Sequence, residues 1–306
     1  MTASFADRLA DAVRSKNSTL VVGLDPQLAR IPDALRAAAQ GDDPRARAAD
    51  AIRRFNAGVI EQVAPYAAAV KPQIAFYEIF GPAGLAAYED AITRAHEAGL
   101  LVIGDIKRGD IGSTAAAYAR AHLCAADEDG TTRPAADAVT INPYLGTDSV
   151  KPFVDTARTE GAGLFVLVRT SNPSAAELQD LQADGRSLHD HVAGLVTRWG
   201  SDLVGDCGYS SVGAVVGATA PAELARLRTV LPQAWFLVPG VGAQGATAAD
   251  VAPAFGRDGL GAVVNSSRGI LYAFGSSDTV DWQAPVADAA RQLRDQLRQA
   301  ALQAAT

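Results

Sequence analysis

The residues in this chain with the clearest chemical potential are charges that interrupt apolar runs. Asp25 ends the run TLVVGLDP (19–26) and Lys71 sits within AAAVKPQIAF (67–76). Asp105 and Lys107 end LLVIGDIKRGD (100–110), with Asp110 just beyond. Side chains of a strand alternate with a period of two, so Asp105 and Lys107 face the same side. The apolar approach up to Gly104 makes that side an interior one. Buried charges are costly unless paired, so Lys71, Asp105, Lys107 and Asp110 are expected to form an alternating, net-neutral network. An ammonium held in such a network can stabilise developing negative charge and can also supply a proton.

A second constellation lies near the other end of the chain. PGVGAQG (239–245) follows a strand-like run and fits G-x-G-x-x-G at Gly240, Gly242 and Gly245. A dinucleotide fold would need an acid about twenty residues on, at the end of the next strand. That stretch reads VVNSSRG and offers Arg268 instead. Glycines let backbone amides approach an anion, a helix N-terminus favours it, and Arg supplies a forked donor. The pattern predicts a phosphate monoester site around Gly242 and Arg268. Between the two poles, Ser171 in SNPSA ends another run and offers a hydroxyl that could read a polar ring edge, or simply serve a turn.

These groups need elements to position them. Further apolar runs occur at 137–146, 163–172, 211–219, 235–242 and 262–269, making eight strand candidates with the three above. Helix-like stretches lie between them at about 48–63, 82–98, 112–124, 148–160, 188–203, 220–230, 246–255 and 284–303. Continuous apolar strands alternating with helices mean a parallel sheet buried on both faces. Eight such units predict an α/β fold closed as a (β/α)8 TIM barrel, one domain over 1–306. The charges named above then lie at the carboxyl ends of strands, where barrels carry their active sites. The phosphate loops become the seventh and eighth, the usual place for that group. Two insertions lengthen the first and fifth connections, at about 27–47 and 172–187, and the second is placed where a lid would lie. In the last helix, Leu293 and Leu297 lie one turn apart and define a face for packing on the barrel.

Composition excludes several classes. With 27 basic against 34 acidic residues, the charge of −7 argues against generic nucleic-acid or anionic-membrane binding. No apolar run approaches the ~18 residues of a membrane span, and MTASFADRLADAVRSK does not read as a signal peptide. Cys124 and Cys207 form neither a CxxC nor a disulfide framework, which fits a reducing cytoplasm. His189 and His191 are two apart on a helix and point to different faces, so no metal site is expected there.

DIKRGDIGST (105–114) resembles the D-x-K-x-x-D-I-x-x-T signature of orotidine 5′-phosphate decarboxylases. AVKPQIAFYE (69–78), VRTSNPSA (168–175) and TINPYLGTDS (140–149) are similar to the longer bacterial-type branch of that family. The resemblance implies conversion of orotidine 5′-monophosphate to uridine 5′-monophosphate, the last step of de novo pyrimidine biosynthesis, with no cofactor and no metal. It implies that Lys107 protonates C6, that Asp105 lies against the substrate carboxylate, and that Lys71 and Asp25 hold the network and touch the ribose. Ser171 would contact the pyrimidine, and Gln244 and Arg268 the phosphate. Asp110 and Thr114 would reach across a homodimer interface into the partner's site. Two departures stand out: Ser174 follows SNP where this branch has Gly, and the eighth strand ends NSSRG where many relatives carry a G-R-S pattern. Rival readings are a metal-dependent sugar-phosphate decarboxylase or synthase, a Schiff-base aldolase, and a catalytically silent phosphate-binding barrel.

Overall fold

A computed structural model describes residues 3–126, 129–218, 221–242 and 245–304. Among the described residues ten strands occur in chain order: β1 (Leu20–Leu24), β2 (Ala69–Pro72), β3 (Leu101–Arg108), β4 (Ala138–Ile141), β5 (Gly163–Arg169), β6 (Gln182–Ala183), β7 (Arg186–Ser187), β8 (Ser210–Val216), β9 (Ala234–Pro239) and β10 (Ala262–Ser266). Eight of them close a parallel barrel in the order β1-β10-β9-β8-β5-β4-β3-β2. These are the eight apolar runs of the sequence, and the barrel is the expected (β/α)8 fold.

Period-two alternation divides each strand between two cores. Val21, Ala69, Ile103, Ala138, Phe165, Val215, Leu237 and Val263 fill the barrel interior. Leu20, Val22, Val70, Val102, Val139, Val166, Val238 and Val264 face the surrounding helices. Advancing two residues from the interior set reaches Lys71, Asp105, Thr140 and Asn265, all buried. The charged layer is therefore the next interior layer above the apolar one.

Most helices match the expected stretches. The first begins earlier, at Pro44–Val63, because Asp43 accepts from the amides of Arg45 and Ala46 at 2.7 and 2.9 Å and Pro44 takes the first helical position. The last four residues of the first insertion thus belong to this helix. The segment expected as a helix at 246–255 is instead a 3-10 helix, Ala249–Ala254, which contains Pro253 and so loses one backbone donor. The C-terminal helix, Gln283–Ala304, buries Leu297 fully and packs Leu293 partly, as its spacing predicts.

A further helix lies outside the expected stretches. Phe5–Lys16 forms a helix capped by Ser4, and its Phe5, Leu9 and Val13 join the interior core of the barrel. Phe5 meets Phe165 edge to face, with centroids 5.9 Å apart. Gly163 makes room for it, since a Cβ there would sit 2.0 Å from the Phe5 ring. Burying a ring of this size contributes roughly 1.5–3 kcal/mol. Arg8 pairs with Asp137, and the Cys207 amide donates to Asp7 at 2.8 Å, fastening this plug to the end opposite the charged layer.

The second insertion is ordered by local chemistry rather than by a core. After a 3-10 turn at Pro173–Ala175 and a helical turn at Ala176–Gln179, β6 and β7 form an antiparallel hairpin. Asp184 and Gly185 have φ of 50° and 73°, the geometry of a two-residue turn with both central residues left-handed. The hairpin is stitched to the barrel by Gln179, whose Oε1 accepts from the Thr170 amide at 2.9 Å, and by Arg169 on Asp180 at 3.1 Å. Cys124 and Cys207 are half-buried and unpaired. Among the described residues, no helix is long and apolar enough to cross a membrane.

Candidate active site

Three of the four charges expected to form a network do so. Lys71 Nζ donates to Asp105 Oδ2 at 2.6 Å, and Lys107 Nζ donates to Asp105 Oδ1 at 2.5 Å. Asp105 is the centre of the chain and is 5% exposed. Burial alone would raise its pKa, but the two ammonium groups and their hydrogen bonds hold it well below the usual carboxylate range. Burial likewise disfavours the Lys71 ammonium, yet Asp105 and then Asp25 overcome it and leave its pKa raised. Each charge is thus kept by its neighbours.

The two lysines differ in access. The Lys71 side chain is 6% exposed and enclosed, whereas that of Lys107 is 45% exposed. Simple alternation explains Asp105 but not the whole placement of Lys107. The β3–β4 register shifts between Gly104 and Arg108, and Lys107 adopts a φ of 45°. A non-glycine residue in that region carries a conformational cost that its surroundings must offset. Here the Lys107 amide donates to Thr140 Oγ1 at 3.1 Å, and the same hydroxyl donates to Asp105 Oδ1 at 2.8 Å.

Asp110 is not in this network. Half-buried just past β3, it accepts from the Ile111 amide at 2.7 Å. Thr114 is exposed in the first turn of the helix Gly112–Leu123. Within one chain the network has three members, Lys71, Asp105 and Lys107, with Asp25 nearby and Asp110 outside it. Asp25 follows β1, its Oδ1 is buried without a hydrogen-bond partner among the described residues, and its carbonyl accepts from the Tyr272 hydroxyl at 3.2 Å.

Ser171 lies two residues past β5, half-buried and packed on Gly217, which has no side chain to exclude it. Arg268 is exposed and opens the short helix Arg268–Leu271 after β10. Gly240, Gly242 and Gly245 all have positive φ, as a tight loop requires. Their amides are less available than the sequence suggests: Gly242 donates to the Ala246 carbonyl at 2.9 Å and Gly245 to that of Gly242 at 3.0 Å. The expected helix N-terminus is also displaced, since the 3-10 helix starts only at Ala249. Of the residues expected at a phosphate, Arg268 keeps an exposed side chain, and Gln244 lies outside the described residues. A groove of about 690 Å³ runs behind this loop against the C-terminal helix, lined by Ser266, Gln292 and Gln296, and holds none of the charged groups. Among the described residues no three His, Cys, Asp or Glu converge as a metal-ligand set.

Three neighbours escaped the sequence reading. Thr140 and Asn265 are uncharged and were passed over within AVTI and VVNSS, although both lie two residues beyond an interior apolar position. Asn265 Oδ1, like Asp25 Oδ1, has no hydrogen-bond partner among the described residues. Tyr272 had no local signal: its hydroxyl also accepts the Gln27 amide at 2.7 Å, while Arg30 stacks 3.8 Å above its ring. It joins the first insertion to the segment carrying Arg268.

Known proteins are similar to this chain over almost its whole length. It is 44% identical over 301 residues to the orotidine 5′-phosphate decarboxylase of Rhodopirellula baltica, covering 96% of this chain and 99% of that one. Identity to the enzyme of that name from Deinococcus radiodurans is also 44%, over 276 residues, covering 90% and 92%. The structure of Leishmania donovani OMP decarboxylase superposes with a TM-score of 0.71 at 35% identity, covering 97% of this chain and 98% of that one. The model of the orotidine 5′-phosphate decarboxylase / HUMPS family matches residues 18–279, a span that contains every barrel strand and the Lys71, Asp105 and Lys107 chain. With the barrel, the Lys-Asp-Lys chain and this match in agreement, the chain belongs to the orotidine 5′-phosphate decarboxylase / HUMPS family.

Proposed function

We propose that this protein decarboxylates orotidine 5′-monophosphate to uridine 5′-monophosphate in pyrimidine biosynthesis, with Lys107 as the proton donor. The observation that carries the assignment is the Lys71–Asp105–Lys107 chain, in which the Lys107 ammonium is the one open to a ligand. Breaking the bond from C6 to the carboxylate releases carbon dioxide and leaves the electron pair on C6, with no adjacent carbonyl to absorb it. A fixed ammonium stabilises that pair, and a proton passed from Lys107 Nζ to C6 completes the product. The neutral amine then recovers its proton from solvent. Lys71, enclosed behind Asp105, keeps the carboxylate oriented and charged.

The other residues take roles that suit their surroundings. Asp25 Oδ1 and Asn265 Oδ1 are unpartnered acceptors, matched to hydroxyl donors such as those of a ribose. Arg268 offers a forked donor for the phosphate, together with Gln244 and the Gly242 loop, and Ser171 offers a hydroxyl to the pyrimidine edge. The two relatives at 44% identity carry the decarboxylase name, which favours this reading over a sugar-phosphate synthase. The deciding assay is loss of orotidine 5′-monophosphate absorbance by purified protein in EDTA with no added cofactor. Rapid turnover supports the assignment and removes the metal-dependent rivals. Absence of turnover by folded protein would overturn it.

A cytoplasmic homodimer belongs to the same reading. Asp110 and Thr114 lie outside the network of their own chain, flanked by the exposed side chains of Ile111, Tyr144 and Leu145. Such a surface suits an isologous contact that delivers both residues to the partner's site. Subunits carrying Lys107→Ala mixed with subunits carrying Asp110→Ala should then regain activity. Each mixed dimer would hold one intact site, so recovery should reach about a quarter of the wild-type rate after random exchange. Two inactive variants that remain inactive after exchange would refute shared sites.

A further inference from the structure

The backbone of Lys107 is held from the fourth strand. Thr140 is 1% exposed, at the interior-facing position two residues after Ala138. Its single hydroxyl performs two tasks at once. The oxygen accepts the backbone amide of Lys107 at 3.1 Å, and its hydrogen is donated to Asp105 Oδ1 at 2.8 Å. That same Asp105 oxygen receives the Lys107 ammonium at 2.5 Å. The backbone and the charged end of Lys107 are therefore referenced to one small group on a neighbouring strand.

The need for such a group follows from the local backbone. Lys107 sits at the register shift between β3 and β4 with a φ of 45°, a conformation an L-residue adopts only when held there. Regular pairing does not hold it, since the ladder is interrupted between Gly104 and Arg108. A side-chain acceptor from β4 supplies the missing partner. We infer that Thr140 is a positioning residue for the reaction, locking the bulged backbone of Lys107 and the carboxylate of Asp105 in one geometry. The inference rests on the assignment of Lys107 as proton donor, and it adds a fourth member to the Lys-Asp-Lys chain.

The physical consequence is specific. Thr140 lies behind Asp105 and Lys107 and has no charge to offer a ligand, so its loss should leave ground-state binding nearly untouched. Displacing the ammonium from the position it takes toward the reacting carbon should slow the chemical step, because small misplacements of a catalytic group carry large rate penalties. A merely structural threonine would behave differently, lowering thermal stability while the folded fraction retained its kcat.

The test compares Thr140→Val, which keeps the shape and removes the hydroxyl, with Thr140→Ser, which keeps the hydroxyl and removes a methyl. On orotidine 5′-monophosphate, Thr140→Val should lose about 30- to 300-fold in kcat with KM within threefold of wild type. Thr140→Ser should recover kcat to within about fivefold of wild type. The inference is overturned if Thr140→Val keeps kcat within threefold, if its loss falls in KM, or if Ser is as impaired as Val. Should Thr140→Val fail to fold, Thr140→Ala takes its place, since the vacated space can admit a water to the amide and carboxylate. A tenfold or greater fall in kcat at unchanged KM supports the inference, and a kcat within threefold of wild type refutes it. Wild-type protein inactive on the nucleotide would instead sink the functional assignment, so the two failures are distinguishable.

Discussion

Lys107→Ala is expected to lower kcat on orotidine 5′-monophosphate by about 10⁴-fold or more while leaving uridine 5′-monophosphate binding measurable. The magnitude combines two effects of one group. A positioned proton donor contributes roughly 10²–10⁴, and a preorganised charge beside a developing carbanion roughly 10²–10³. The two are not independent, so the product is an upper guide to the loss. The protein should fold, because the truncated side chain is half-exposed and Asp105 keeps both Lys71 and Thr140 as partners. Single-turnover kinetics with calorimetric titration of the product separate the two quantities. Retention of more than about a tenth of wild-type activity would eliminate Lys107 as the proton donor. The choice between the lysines is also open to experiment. Lys71→Ala removes an enclosed ion-pair partner, so it should show a loss of stability that Lys107→Ala does not.

Arg268→Ala is expected to lower kcat/KM by about 10²- to 10³-fold, equivalent to roughly 3–4 kcal/mol of charge-assisted binding. Arg268 is exposed in this structure and opens the one-turn helix after β10, where its guanidinium is available for an anion. The glycine loop contributes less than its pattern promises, since the amides of Gly242 and Gly245 are already engaged by loop carbonyls. That transfers weight to the arginine. The phosphate is remote from the reacting carbon, so its binding energy can hold the reactive end in place rather than merely tighten the complex. Orotidine, which lacks the phosphate, supplies the control: wild type and variant should process it equally poorly. A change under threefold with the nucleotide would remove Arg268 from the phosphate site.

The fifth-strand insertion illustrates how far local chemistry reaches. Its Asp184-Gly185 pair is a short-range hairpin signal that a reading of the segment as a polar loop overlooks. What ties that hairpin down is not local. His189, from the helix Leu188–Gly200, bonds the Gln179 carbonyl at 2.8 Å on one side and Glu223 at 2.8 Å on the other. This histidine is buried and structural, while His191 bonds the Ala183 carbonyl at 2.8 Å. Nothing in the LHDH segment names Glu223 as a partner, because that residue comes from a different βα unit.

By itself the sequence determined the alternation of eight apolar strands with helices, and hence the closed parallel barrel. It also placed Asp25, Lys71, Asp105, Lys107 and Arg268 at the strand ends where the barrel carries chemistry. Both follow from short-range rules: period-two alternation within a strand, and the cost of leaving a charge buried without a partner. Tertiary structure decided what depends on contacts between distant segments. It made Phe5–Lys16 the plug of the barrel, a role that exists only because Gly163 and Phe165 wait beneath it. It left Asp110, beyond the end of β3, bonded to the Ile111 amide and outside the network of its own chain. It left Lys71 enclosed and Lys107 open, although both read alike as lysines ending apolar strands. And it brought Thr140 beneath Lys107, since a hydroxyl acquires its role only when closure of the sheet sets β4 beside β3.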